Sequence, residues 1–274
     1  MLADVGAIPG PDVLAFFKVL ADETRLAIVR LLTLSDLRVG ELVNAVQQPQ
    51  NAVSYHLKQL RRLGLLRDRR SNRDGRDVYY SVDLERLHAL YMEAGAAIHP
   101  GLTVPATEPA SLAALERPLR ILFLCTHNRA RSQLAEGIAR SLAGDQVAVV
   151  SAGSEPSAVH PLTIELLRDL GIDGSDLASK SLQLFAEEEF DYIITTCDRV
   201  REECPTFPGD PRQIHWSFAD PLEVTGGLDR QRLAFRTTAR ELVTRLEYLL
   251  SLPHPVTGQR LMLRIFPPQL PGPR

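Results

Sequence analysis

The run Leu119-Arg120-Ile121-Leu122-Phe123-Leu124-Cys125-Thr126-His127-Asn128-Arg129-Ala130-Arg131-Ser132 decides how the second half of the chain folds. Its first six residues read as a short buried strand, and Leu134, Ile138 and Leu142 continue at helical spacing. The cysteine therefore leaves a strand into a loop that opens a helix. There, backbone N–H groups converge and the helix dipole is positive, which favours a bound oxyanion and a thiolate alike. Arg131 adds a planar fork that can grip two oxygens of a tetrahedral anion. Ser132 offers a hydroxyl to the cysteine sulfur. The spacing of cysteine and arginine is weak by itself; the strand–loop–helix context gives it meaning. The candidate oxyanion loop is Thr126, His127, Asn128, Arg129, Ala130, Arg131 and Ser132.

Downstream, strand and helix patterns alternate: Val147–Val150, a helix over 161–170, Tyr192–Thr195, Gln213–Trp216, and a helix from about Asp229 to Leu250. That order predicts an α/β doubly wound parallel sheet with its site at the strand carboxyl ends. Asp220, before Pro221, is a loop carboxyl able to protonate a leaving oxygen. Cys197 and Cys204 are the remaining cysteines. If 197–204 were a regular helix, their Cα atoms would stand about 10.5 Å apart, whereas a disulfide needs less than about 7 Å. A bridge would require this segment to loop or unwind, so it reads either as a mobile shuttle or as two small buried apolar residues.

The chain has 274 residues, 31 Lys plus Arg, 34 Asp plus Glu and three cysteines, all in the second half. That length suggests two domains. Three cysteines in a chain without a cationic secretory start point to a cytoplasmic protein and to catalytic or redox roles rather than a disulfide framework. No run of about 18 apolar residues suggests a membrane span. The Pro-rich stretch from 100 to 118 reads as a linker between domains at 1–99 and 119–252, and 253–274 as a poorly ordered Pro-rich tail.

The first domain differs in character. From Lys58 to Arg76 there are eight Lys or Arg against Asp68 and Asp74, a local +6 suited to a polyanion. Apolar residues at helical spacing (Leu14, Phe17, Leu20, then Leu26 to Leu32) predict core helices, with Asp22 as a cap. A short helix, Val39 to Val46, precedes one opened by Pro49 whose inner face is Val53, Leu57, Leu60 and Leu63 and which Gly64 ends. Leu65–Arg70 and Val78–Val82, joined across Asp74-Gly75, read as a hairpin, and a last helix starts near Asp83. The candidate DNA-reading groups are Gln50, Asn51, Ser54, Tyr55, His56, Lys58, Gln59 and Arg62 on the helix, with Arg73 and Arg76 on the hairpin.

This α+β arrangement resembles the winged helix-turn-helix of ArsR-type repressors, through Leu20-Ala21-Asp22-Glu23-Thr24-Arg25, Ala52-Val53-Ser54-Tyr55-His56-Leu57, Leu63-Gly64-Leu65 and Gly75-Arg76-Asp77-Val78-Tyr79-Tyr80. The resemblance implies a homodimer on a double-stranded DNA operator, one recognition helix per major-groove half-site. No cysteine precedes Cys125, so no thiophilic metal site carries over; His88 and His99 read as surface or interface residues.

The second domain looks like a thioredoxin-coupled arsenate reductase, a branch of the low-molecular-weight tyrosine phosphatase fold. Cys125, Asn128, Arg131 and Ser132 match its anion loop, Gln133 follows as in the reductases, and Cys197, Cys204 and Asp220 match its other functional positions. The resemblance implies that Cys125 attacks arsenate, for which phosphate and sulfate compete, while Asp220 acts as acid. Cys197 and then Cys204 pass on the disulfide, thioredoxin is the external reductant, and no cofactor is bound. Relatives that hold potassium behind the loop use an asparagine, a glutamate, a serine and an aspartate. Asn128, Glu136 and Ser151 fit, but Lys180 stands at the aspartate position, where its ammonium replaces the ion. Two other readings stay open: a tyrosine phosphatase fused to a DNA-binding domain, or a repressor that senses arsenate or redox state without turnover. Against the phosphatase, Asp220-Pro221-Leu222-Glu223 lacks the aromatic pair of the phosphotyrosine rim.

Overall fold

A computed structural model describes residues 11–73, 75–99, 102, 117–261 and 263. The chain divides into two compact units, Met1–Pro109 and Ala110–Arg274. Most of the 100–118 stretch and Asp74 of the hairpin turn lie outside the described residues.

In the first unit, α1 (Pro11–Leu20), α2 (Glu23–Leu32), β1 (Leu37–Arg38), α3 (Val39–Val46), α4 (Gln50–Arg62), β2 (Leu66–Arg70), β3 (Val78–Val82) and α5 (Leu84–Ile98) follow in order. Side-chain caps set two helix starts: the Arg25 N–H donates to Asp22 Oδ1 at 2.9 Å and the Arg86 N–H to Asp83 Oδ1 at 3.0 Å. Gly64, at φ 72°, supplies the left-handed turn out of α4. The sheet order is β1-β3-β2, antiparallel, with Arg70 opposite Val78 and Leu37 opposite Tyr80. At two residues, β1 is too short to show a sequence period. Ile28, Leu42, Val53, Leu57, Leu60, Leu65 and Leu90 form the core. The expectation for α1 needs correcting: Val13 and Phe16 face inward, whereas Leu14 and Phe17 are each 44% exposed, because a ten-residue helix packs only one stripe.

The second unit runs β4 (Leu119–Cys125), α6 (Arg131–Ala143), β5 (Val147–Gly153), α7 (Pro161–Asp169), β6 (Tyr192–Thr195), α8 (Asp198–Glu203), β7 (Arg212–His215) and α9 (Leu228–Leu250). Its sheet is parallel in the order β5-β4-β6-β7. The chain leaves β4 towards β5 and returns past it to β6, so the switch in strand order falls beside β4, where ligands bind in such sheets. β4 is buried on both faces. Ile121 and Phe123 join a core with α6, α7 and α9, while Leu122, Leu124 and Cys125 join Ile193, Cys197, Val200 and Phe207 on the other side. That is why β4 reads as a continuous apolar run.

The expected disorder of the tail needs correcting for residues 253–261. Residues 253–261 form a packed turn in which the His254 N–H donates to Gln259 O at 2.6 Å and Leu261 enters the core. The buried His254 ring lies 3.9 Å from Asp191, whose carboxylate also accepts from Arg117 and from the Arg120 N–H. Residues 262 and 264–274 lie outside the described residues.

Candidate active site and candidate DNA-binding face

The loop 126–130 is shaped by tying its carbonyls outward. Thr126 O accepts from the Glu155 N–H (2.8 Å), His127 O from Ser157 (3.0 Å), and Arg129 O from His160 (2.9 Å). Asn128 O accepts from Gln133 Nε2 at 3.1 Å. Carbonyls tied outward leave the N–H groups of such a loop, like those that open a helix, available to an anion. Asn128 adopts the left-handed region at φ 46°, and its N–H donates to Cys125 Sγ at 3.1 Å. Gly153, opposite Cys125 in the sheet, is where the frame touches the loop: a Cβ there would stand 2.6 Å from Thr126 O and 3.0 Å from Asn128 N.

Ser132 Oγ accepts from Asn128 Nδ2 at 3.0 Å, which leaves its own hydrogen for Cys125 Sγ at 2.9 Å. Burial pushes the Cys125 thiol up, and the neighbouring Cys197 adds to that; Arg131, the Ser132 hydroxyl and the Asn128 N–H pull it back. Arg131 donates from Nη2 to Asp220 Oδ2 at 2.8 Å and from Nη1 to Phe218 O at 3.1 Å. Arg131 and Asp220 thus hold each other. Asp220 is fixed further by the Leu222 N–H at 3.0 Å.

Behind the loop, Asn128 Nδ2 donates to Ser151 Oγ at 2.7 Å, and Ser151 donates to Glu136 Oε2 at 2.5 Å. Glu136 is fully buried and also receives Arg140 and Lys180 Nζ, the latter at 3.3 Å. Two cations already face this carboxylate, and the Lys180 N–H takes Asn128 Oδ1 at 2.7 Å. The donor set does not fit a further monovalent cation. Among the described residues no group of three or more His, Cys, Asp or Glu could hold a metal ion, and no helix is long and apolar enough to cross a membrane.

Cys197 and Cys204 flank α8, which is helical rather than looped, with Cys197 as N-cap and Cys204 as C-cap. Cys197 is buried on the same sheet face as Cys125, with Thr126 Oγ1 3.3 Å from its sulfur. Burial pushes the Cys204 thiol up to about 11. Sequence reasoning placed Thr126 in the loop but missed this contact, missed Gly153, and missed a buried cluster of Asp198, His215 and Ser217.

In the first unit Gln50, Asn51, Ser54, Tyr55, Lys58 and Arg62 are exposed along α4, and Gln59 is half-buried; Arg73 and Arg76 are exposed on the hairpin. His56 is the exception among the expected DNA contacts. Its side chain is 14% exposed and its Nδ1 lies 3.7 Å from Asp22 Oδ1, because position 56 falls on the flank of α4 next to the start of α2. Arg61 pairs with Asp68, which the count of charges already includes, and Arg67 pairs with Asp83 beyond the counted stretch, which lowers the local charge by one. His88 and His99 are exposed.

A strand-end cysteine, an arginine at the start of the next helix and an aspartate facing that arginine, on a four-stranded parallel sheet, have the geometry that a cysteine nucleophile and an oxyanion require. Residues 120–252 match the low molecular weight phosphotyrosine protein phosphatase family, and the chain belongs to it. Residues 22–68 match the bacterial regulatory proteins of the arsR family. The chain is also similar to several arsenate reductases. An arsenate reductase of Halalkalibacterium halodurans is 33% identical over 127 residues, 46% of this chain and 91% of its own. That of Bacillus subtilis is 33% identical over the same shares. A solved thioredoxin-dependent arsenate reductase of Corynebacterium glutamicum is 24% identical, with 81% of this chain and 94% of that chain covered, at a TM-score of 0.38.

Proposed function

We propose that this chain joins an operator-binding winged helix to an arsenate reductase that runs on a cysteine relay. The observation that carries the reading is that Cys125, Cys197 and Cys204 share one apolar cluster beside the anion loop. The Cys125 thiolate attacks arsenic while Arg131 turns from Asp220 to the anion and Asp220 protonates the departing hydroxide. The Cys197 thiolate then attacks Cys125 Sγ; the S–As bond breaks and its electron pair leaves with arsenic as arsenite. Cys204 displaces Cys125 by thiol exchange, and thioredoxin or another dithiol reduces the Cys197–Cys204 disulfide. No bound cofactor enters these steps.

Residues 1–99 carry the DNA-binding part of the proposal. Asn51, Tyr55, Lys58 and Arg62 recur at helical spacing on the exposed side of α4, and Arg73 and Arg76 reach the flanking backbone. Homodimerisation is supported by exposed apolar side chains on α1 and α5: Leu14, Phe17, Tyr91 and Ile98. With thiols only in the second unit, an arsenic or redox signal to DNA enters through Cys125, Cys197 or Cys204, in a cytoplasmic protein. Unchanged operator affinity between reduced, oxidised and arsenite-treated protein would refute that coupling.

The deciding experiment is arsenate-dependent NADPH oxidation with thioredoxin and thioredoxin reductase, comparing wild type with Cys197→Ser, alongside aryl-phosphate hydrolysis. Arsenate turnover lost in the variant with hydrolysis retained supports the relay. No arsenate turnover in wild type, with hydrolysis in both forms, makes the protein a phosphatase instead.

A further inference from the structure

Asp198 is fully buried at the first turn of α8, immediately after Cys197, and the chemistry above does not use it. Its Oδ1 accepts from His215 Nε2 at 3.1 Å and from Ser217 Oγ at 2.6 Å. The other ring nitrogen of His215 lies 2.8 Å from Thr195 Oγ1. One imidazole at the carboxyl end of β7 is thereby tied to both Thr195 and Asp198, and only Thr196 and Cys197 lie between them. Thr196 is fixed in turn, its N–H and its hydroxyl both donating to Leu124 O at 2.7 and 3.1 Å. Cys197 is therefore held in a closed ring of hydrogen bonds anchored on three strands.

The other end of α8 is held differently. Cys204 packs half-buried on the apolar cluster of Val200, Phe190 and Phe207. Apolar contact is non-directional and lets a side chain slide, whereas unpairing a buried carboxylate from its donors is costly. Ser217 also belongs to the loop whose Phe218 O receives Arg131 and whose Asp220 is the acid.

We infer that Asp198, gripped by His215 and Ser217, is a positioning residue that fixes Cys197 in line with Cys125 for the first disulfide. This rests on the relay reading. In the step concerned, the S–S bond of Cys125 and Cys197 forms as the S–As bond breaks, two thiols are oxidised, and arsenic is reduced from the pentavalent to the trivalent state.

The test uses the full-length chain with Cys204→Ser, which traps the first disulfide. Arsenate is mixed with reduced protein and the Cys125–Cys197 bond is followed by rapid quench and mass spectrometry. Affinity for inorganic phosphate is measured by calorimetry in the same proteins. Asp198→Ala should slow disulfide formation tenfold or more and leave phosphate affinity within twofold; Asp198→Asn, which keeps an acceptor at Oδ1, should recover part of the rate. A structural lesion would weaken phosphate binding as well. Equal disulfide rates, or joint loss of phosphate binding, overturns the inference. Should Asp198→Ala fail to fold, Ser217→Ala decides: a threefold or greater slowing at unchanged phosphate affinity supports the role, and an unchanged rate refutes it. If the Asp198-containing protein binds phosphate but forms no Cys125–Cys197 bond with arsenate, the relay reading falls and the inference with it.

Discussion

Replacing Lys180 by aspartate should turn an ion-indifferent protein into one that depends on potassium. Lys180 Nζ lies 3.3 Å from the buried Glu136 carboxylate. At an effective dielectric constant of about 20, that separation corresponds to about 5 kcal/mol of attraction. Desolvation of the ammonium offsets much of this, and Arg140 still faces Glu136 after the substitution. A net loss of about 2 kcal/mol remains, below the roughly 3–5 kcal/mol of a fully buried pair because the Lys180 side chain is partly exposed, and the new carboxylate adds repulsion to it. At about 2–4 °C per kcal/mol for a domain of this size, the melting temperature should fall by at least about 4–8 °C. Potassium at ten times its dissociation constant would return about 1.4 kcal/mol. The assay is thermal unfolding and steady-state turnover in potassium and sodium chloride at constant ionic strength. Wild type should show equal rates in the two salts, and the variant should be stabilised and activated by potassium alone. Stimulation of wild type more than twofold by potassium would refute the reasoning, because it would require a cation among donors that Lys180 and Arg140 already occupy.

Gly153→Ala should cost at least a hundredfold in phosphate or arsenate affinity, since its Cβ would meet the fixed Thr126 carbonyl at 2.6 Å; calorimetry with phosphate checks this. In a Cys125→Ser/Cys197→Ser background, alkylation of Cys204 should rise about tenfold per pH unit up to about 11, because burial keeps its thiol protonated there. Unfolding α8 should move that profile down towards pH 8.5–9, and a plateau near pH 8.5 in the folded protein would contradict the burial. Lys58→Ala and Arg62→Ala should each reduce the salt dependence of operator binding by about one phosphate contact, measured by fluorescence anisotropy. His56→Gln, which faces Asp22, should leave that slope unchanged. Leu14→Lys with Phe17→Lys should shift the sedimentation of the protein towards the monomer.

What the sequence revealed and what it hid follow from the range of each interaction. The apolar run into Cys125 and the helix beyond it are local patterns, so the loop, its arginine and its serine were legible, as were the cap Asp22 and the start of the last helix near Asp83. The pairing of Asp198 with His215 depends on the register of β6 against β7, seventeen residues apart in sequence, and no local period reports it. Apolar spacing identified α1 but not which of its two stripes packs, so Leu14 and Phe17 were taken for core. His56 sits among polar neighbours on the recognition helix, and only the position of α2 turns it inward. Proline content suggested a loose tail, whereas Pro253 and Pro255 flank a turn that buries His254.

Asp191 divides the labour of the second sheet between its two ends. It gathers Arg117, just before β4, and His254, just after α9, onto one carboxylate at the amino end of β6, while Cys125, Cys197 and His215 all lie at the carboxyl ends of their strands. Strand polarity thus keeps the tie between Arg117 and His254 at one pole of the sheet and the loop around Cys125 at the other. Substitution of Asp191 should accordingly loosen Arg117 and His254 together and leave the loop geometry last to fail.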